Sequence, residues 1–275
     1  MVIVVAAEDD PTPYLHGMQI TANVFEVGSG PPLVLLHSGA GDARDWRRVI
    51  SDLGGSFRCI AVDLYGCGGT PAWPGSSPME IDDQVELVEQ VVREPVHLCG
   101  HSYGGAVALR FAVLYPELVR SLTVIEPQCY PLLRELGDPA YEVSLSLWNR
   151  VRALFELGEA EPAWRRFIDY FSGEGFWNRL RPEVRAEFLR VSPVEWWAVL
   201  FSNPTRVSDL WMLEMPALVL CGENTTEPER RMCEIVADGA PGARLEVIRG
   251  AGHMSPMTHA GDVARRIAIH LSRET

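Results

Sequence analysis

The run Val96-His-Leu-Cys-Gly100-His101-Ser102-Tyr103-Gly104-Gly105-Ala-Val-Ala-Leu109 decides the fold. Its first part, Val96–Cys99, is short and apolar and reads as a buried strand. Tyr103–Tyr115 has helical spacing and is stopped by Pro116. Between the two lies Gly-x-Ser-x-Gly. A strand that turns straight into a helix at such a motif places the serine on a sharp turn. The small residues two before and two after it let strand and helix approach closely. The hydroxyl then stands at a helix N-terminus, where the dipole favours negative charge. A glycine-rich turn with an incidental serine is the blander reading, and it does not account for the match on both sides.

Working outward, five further apolar runs resemble the first: Leu33–Leu36, Cys59–Val62, Leu122–Ile125, Ala217–Cys221 and Leu245–Ile248. Continuous apolar runs indicate strands buried on both faces, hence a parallel sheet. Gln19–Val27 alternates and reads as an antiparallel edge strand. Helical patterns lie between them, at Arg44–Asp52, Met79–Arg93, Pro228–Ala237 and Asp262–Ser272. Strand–helix–strand alternation predicts a doubly wound α/β sheet. From 128 to 208 the alternation stops. Helical stretches fill that interval, near Pro139–Leu157, Glu161–Phe171, Pro182–Val191 and Pro193–Phe201. The last opens on Ser192-Pro193-Val194-Glu195, which reads as a capping box. The chain is therefore divided into a core of residues 1–127 and 209–275 and an inserted all-helical cap, 128–208. Five of the eight Trp fall in that cap.

Composition narrows the chemistry. The chain has 275 residues, 47% hydrophobic and 22% charged, as expected of a globular protein. Net charge is −13, and all 24 basic residues are Arg. Without Lys, a P-loop phosphate site, a Schiff base and pyridoxal-phosphate chemistry are excluded. The acidic balance argues against nucleic acid and anionic membranes as partners. The apolar run Val2–Ala7 is too short for a signal segment or a membrane span. Six Cys without a C-x-x-C spacing read as reduced thiols. Both features set the cytoplasm as the expected location. His97-Leu-Cys99-Gly-His101 offers donors at short spacing but no further ligand pair, so no metal is expected. Gly39-Ala-Gly41 begins like a dinucleotide fingerprint, but Arg44 occupies its third small position. No cofactor is expected, and Asp63 reads as an anchor for its own loop.

A serine hydroxyl needs a base. His253, in Gly252-His253-Met254, follows the last strand and comes after the serine in chain order, as in elbow-type triads. His37, His101 and His259 are weaker candidates; His16, His97 and His270 read as structural. An oxyanion hole needs two backbone N–H groups. Tyr103 supplies one, and Gly39 the other, with Ser38 as the alternative.

These motifs resemble those of the α/β-hydrolase superfamily, of the esterase, lactonase and haloperoxidase-like kind. The marks are His37-Ser38-Gly39, Asp63-Leu-Tyr-Gly66-Cys-Gly68, Gly100-His-Ser-Tyr-Gly104 and Gly252-His253. The resemblance spans nearly the whole chain and implies a mostly parallel, eight-stranded sheet with a helical cap. Ser38 departs from the usual His-Gly. The acid departs most. Many similar proteins carry it as Gly-x-x-Asp after the seventh strand, where this chain has Gly222-Glu223-Asn224-Thr225. Thr225 cannot hold a histidinium by charge, and is expected to be dispensable. The resemblance offers a second place, the end of the sixth strand, where Glu126 stands. Glu126 is the favoured acid and Glu223 the alternative. The resemblance implies a serine hydrolase, Ser102–His253–Glu126, cleaving an ester or lactone through an acyl-enzyme. Ser38, Trp148, Trp177, Trp196 and Trp197 are the candidate substrate-binding residues, for a small hydrophobic substrate with a ring. A carbon–carbon hydrolase, thioesterase, perhydrolase or non-hydrolytic receptor would use the same residues. A monomer or homodimer is expected.

Overall fold

The computed structural model describes residues 21–273. The N-terminal apolar run, His16 and the start of the Gln19–Val27 strand lie outside the described residues. Seven strands form one sheet: β1 (Val24–Val27), β2 (Pro32–Leu36), β3 (Arg58–Val62), β4 (Val96–His101), β5 (Val119–Ile125), β6 (Ala217–Gly222) and β7 (Arg244–Ile248). Their order is β1-β3-β2-β4-β5-β6-β7. β1 runs antiparallel to β3, and every other pair is parallel. Each strand coincides with one of the runs named above. The resemblance implied eight strands; the described residues hold seven.

The helices are α1 (Arg47–Asp52), α2 (Ile81–Glu89), α3 (Tyr103–Leu114), α4 (Tyr130–Glu135), α5 (Ala140–Glu156), α6 (Ala160–Ser172), α7 (Phe176–Arg179), α8 (Pro182–Phe188), α9 (Val194–Ser202), α10 (Val207–Leu210), α11 (Glu227–Gly239), α12 (Ser255–Thr258) and α13 (Ala260–Leu271). The strands' two-residue period divides the core in two. Leu33, Leu35, Cys99, Leu218 and Leu220 pack with Val49 of α1 and Val263 and Ile267 of α13. Val34, Leu36, Leu98, Val124 and Val219 face the other way, onto α2, α3 and α11. Burial on both faces is why the central strands are continuously apolar, whereas edge strands β1 and β7 are partly exposed.

The interval 128–208 contains helices and no strand. Its buried residues, among them Leu132, Trp164 and Trp197, belong to the same apolar cluster as α2, α3 and α11. These helices thus share their core with one face of the sheet. The Ser192 capping box does not form. Pro193 accepts the first helical bond, from Trp197 N–H at 2.9 Å, and is itself the N-cap. Ser192 Oγ only accepts Val194 N–H, at 3.2 Å. Among the described residues no helix is long and apolar enough to cross a membrane.

Candidate active site

Parallel strands bring their C-terminal ends to one edge of the sheet, which is where ligands bind in such folds. Four adjacent strands, β4-β5-β6-β7, deliver the candidate residues in spatial order. Ser102 follows β4, Glu126 follows β5, Gly222 ends β6 with Thr225 in the turn after it, and His253 follows β7. Cross-strand bonds fix the neighbours: Ser102 N–H donates to Ile125 C=O at 2.9 Å and Glu126 N–H to Leu220 C=O at 3.0 Å.

The turn at Ser102 has φ 56°, a left-handed conformation that a non-glycine residue adopts only under constraint. Two glycines make it possible. A Cβ on Gly100 would lie 2.1 Å from Gly104 C=O, and one on Gly104 would lie 2.4 Å from His37 C=O. Any side chain there would force helix α3 off the sheet. Glu126 is also left-handed, at φ 45°.

Ser102 Oγ is 2.9 Å from His253 Nε2. His253 Nδ1 is 2.6 Å from Glu126 Oε2. All three are buried, with 4%, 3% and 0% of their surface exposed for Ser102, His253 and Glu126. Glu126 accepts two further hydrogen bonds, from Gly222 N–H to Oε1 at 2.7 Å and from the Thr225 hydroxyl to Oε2 at 2.6 Å. Burial pushes its pKa up. The bond and charge of His253 and the donors Thr225 and Gly222 outweigh burial and hold the carboxyl below its ordinary value. An ionised Glu126 takes the Nδ1–H of a neutral imidazole, leaving Nε2 bare to accept the serine proton.

Thr225, expected to be idle, therefore belongs to the site: it supplies a donor to the acid in place of being the acid. The signal was its position, where similar chains carry the Asp. Glu223 is placed elsewhere. Its Oε2 accepts Gly250 N–H at 2.8 Å and ties down the loop ahead of His253.

The other histidines separate clearly. His101 Nε2 donates to His253 C=O at 2.8 Å, so it clamps the backbone of the imidazole it accompanies. Burial, with the nearby His253, pushes His101 down to about 3 and keeps it neutral. His37 accepts Leu64 N–H on Nε2 at 3.0 Å and donates from Nδ1 to Ser38 C=O at 2.7 Å. His97 bonds Ser121, His270 faces Arg244, and half-buried His259 bonds Thr258. Asp63 anchors its loops, accepting from Asn23, Ala43 N–H and Gly69 N–H.

Tyr103 opens α3, so its N–H is among the donors a helix start leaves without an intrahelical partner. Gly39 lies on the loop after β2, under the ring of Trp196: a Cβ there would meet Trp196 Cζ3 at 2.4 Å. The Trp196 ring also packs edge-on to Tyr103, 5.6 Å between centroids. Ser38 uses its carbonyl to accept from His37 and from Gly41 N–H.

Of the four tryptophans proposed to touch substrate, Trp196 is the one brought against the Gly39–Tyr103 edge. Trp197 and Trp148 stand behind, packed against each other at 5.5 Å. Trp197 continues through Phe167 at 4.9 Å and Phe167 through Phe171 at 4.9 Å. Phe171 lies on the His253 ring at 4.7 Å. Phe167 and Phe171 were missed because a helical aromatic stripe reads as core. Trp177 is not part of this ladder. It is fully buried beside Phe188, and its N–H groups are bonded to Asp169 and Glu161.

A parallel sheet with a serine elbow, and a histidine and a carboxyl on the neighbouring strand ends, defines a class. The chain belongs to the alpha/beta hydrolase family, whose sequence pattern matches residues 33–266. It is 31% identical over 160 residues to a 2-hydroxy-6-oxo-2,4-heptadienoate hydrolase of Pseudomonas putida. That match spans 56% of this chain and about half, 53%, of the relative. It is 24% identical over 271 residues to a 2-hydroxymuconate semialdehyde hydrolase of Pseudomonas sp. strain CF600, covering 92% and 91% of the two chains. In three dimensions it resembles a thermophilic esterase from Thermogutta terrifontis, with TM-score 0.71, 24% identity and 92% and 93% coverage.

Proposed function

We propose that this hydrolase is a serine esterase or lactonase acting on a small hydrophobic, ring-containing substrate. The observation that carries the reading is the unbroken hydrogen-bonded line Ser102 Oγ–His253 Nε2, His253 Nδ1–Glu126 Oε2, at 2.9 and 2.6 Å. Ser102 attacks the carbonyl carbon while His253 takes its proton. The imidazolium so formed is held by ionised Glu126. Negative charge on the former carbonyl oxygen is met by the N–H groups of Tyr103 and Gly39. His253 returns the proton to the leaving oxygen, an acyl-Ser102 remains, and water activated by His253 releases the acid. His101 is a positioning residue, holding His253 by its carbonyl.

In this reading the helices of 128–208 act as a cap. Trp196 and Phe171 supply the aromatic wall, which favours an apolar ring over a charged group. Six unpaired cysteines support a reducing compartment such as the cytoplasm.

A fluorophosphonate that labels serine nucleophiles is the direct test. Wild-type protein is expected to take up one equivalent at Ser102, and Ser102→Ala none. Absence of labelling at Ser102 under native conditions would overturn the reading and favour a non-hydrolytic receptor.

The names of the two similar Pseudomonas hydrolases support a second reading. Their oxo-acid and semialdehyde names suggest Ser102 attack on a ketone or aldehyde carbonyl, with cleavage of the adjoining carbon–carbon bond. Turnover of aryl esters and lactones but not of β-diketones selects the first reading, and the converse selects the second.

A further inference from the structure

Glu229 has no part in the scheme above. It is the third residue of α11, in Thr226-Glu-Pro-Glu229, where a glutamate ordinarily folds back onto the N-cap residue. No side-chain capping bond forms at Thr226. The carboxyl is instead completely buried, and neither oxygen makes a well-formed hydrogen bond, although the Gln128 amide and the Tyr170 hydroxyl stand beside it. A buried ionisable group left in that state is costly. Burial pushes it up to about 7.

The charged groups that act on it most are His253 and Glu126, and no arginine is among them. Its polar neighbours are Gln128 and Tyr170, and its charge also reaches Tyr130. Gln128 Nε2 likewise makes no well-formed hydrogen bond. Gln128 lies directly beneath the elbow: its backbone N–H donates to Ser102 C=O at 3.2 Å. Tyr170 Oη accepts from the Thr226 hydroxyl at 3.1 Å, and the next residue is Phe171, the ring on His253. The end of α6, the turn after β5 and the start of α11 thus bring a carboxyl and an amide, facing each other without a well-formed bond, to the wall that carries His253.

We propose that Glu229 and Gln128 form a polar subsite for a hydroxyl group on the substrate, Glu229 accepting its hydrogen and Gln128 Nε2 donating to its oxygen. This deepens, and rests on, the reading of Ser102 as nucleophile. A hydroxyl is both donor and acceptor, so it fits the pair whether Glu229 is ionised or protonated. A carboxylate would face Glu229 and Glu126 together, with only His253 to offset them. The substrate class is therefore a hydroxylated aryl ester or lactone, its ring against the aromatic wall.

The probes are 4-nitrophenyl phenylacetate and its 2-, 3- and 4-hydroxyphenyl counterparts, each compared with the parent ester on the same enzyme. Wild type is expected to prefer one ring position by about tenfold in kcat/KM, the size of one hydrogen bond to a charged group. Glu229→Leu should bring that ratio to about one and raise the melting temperature, because it removes an unpaired buried carboxyl. Gln128→Leu should lower the ratio in part, and Glu223→Ala should leave it unchanged. No preference at any ring position in a wild type whose Ser102 is labelled would overturn the subsite alone. So would a Glu229→Leu protein that is less stable and keeps the preference, since Glu229 would then be structural. Failure of Ser102 to label removes the hydrolase reading and the subsite with it.

Discussion

Two carboxyls, Glu126 at the end of β5 and Glu229 at the start of α11, are both completely buried and both act on His253. They end in opposite states. Glu126 receives an imidazole N–H, a backbone N–H and a hydroxyl, and is held below its ordinary pKa. Glu229 has only loosely placed donors, receives no well-formed hydrogen bond, and is pushed up to about 7. Burial is therefore not what decides the charge of a carboxyl here; the supply of donors decides it. The difference separates a group that must stay charged through a reaction from one that changes state with its surroundings.

The largest expected effect comes from emptying the first carboxyl of its charge. Glu126→Gln keeps the shape but lets the histidine adopt the wrong tautomer, and kcat should fall by about 10⁴. A fall below tenfold would show that another group holds His253. Next comes the donor supply itself. Thr225→Val removes one of the hydroxyl and N–H donors and should lower kcat by about tenfold, with Thr225→Ser restoring it. The pH profile should move too, because Glu126 then protonates at higher pH.

The second carboxyl is best read through stability against pH. A carboxyl raised from its ordinary 4.5 to about 7 stabilises the fold below the lower value, and loses that contribution as pH rises to about 7. The amount at stake is about 3 kcal/mol. The melting-temperature advantage of Glu229→Leu over wild type should therefore be wide at pH 8 and narrow at pH 5. An advantage independent of pH would mean that Glu229 is paired and charged throughout. Buried His101 acts in the opposite sense. Held down to about 3, it removes stability from both proteins as pH falls below its ordinary 6.5. The smallest effect should come from the exposed control: Glu223→Ala should change kcat less than twofold.

The contrast also marks where the sequence was legible. The seven strands, the elbow and His253 could be read because apolar runs, glycine spacing and chain order are local patterns. Glu126 could be read because the resemblance offers the end of its strand as a place for the acid. Thr225 could not, because its role depends on a residue 99 positions away across β5 and β6. Glu229 was hidden in a helix-start pattern that normally means a cap. Trp177 and Trp196 are alike in sequence, and only tertiary packing sends one to Glu161 and the other to Gly39.

Ser102 and Glu126 are two of the three non-glycine residues with positive φ among the described residues. Each such residue is strained by about 1–3 kcal/mol. Glycine at position 102 relieves that strain, so Ser102→Gly should fold more stably than the wild type while hydrolysing nothing. Glu229→Leu should behave alike in stability. Evolution of this chain under selection for thermal robustness alone would then drift toward inert proteins, and only selection for turnover would keep the strained serine in place.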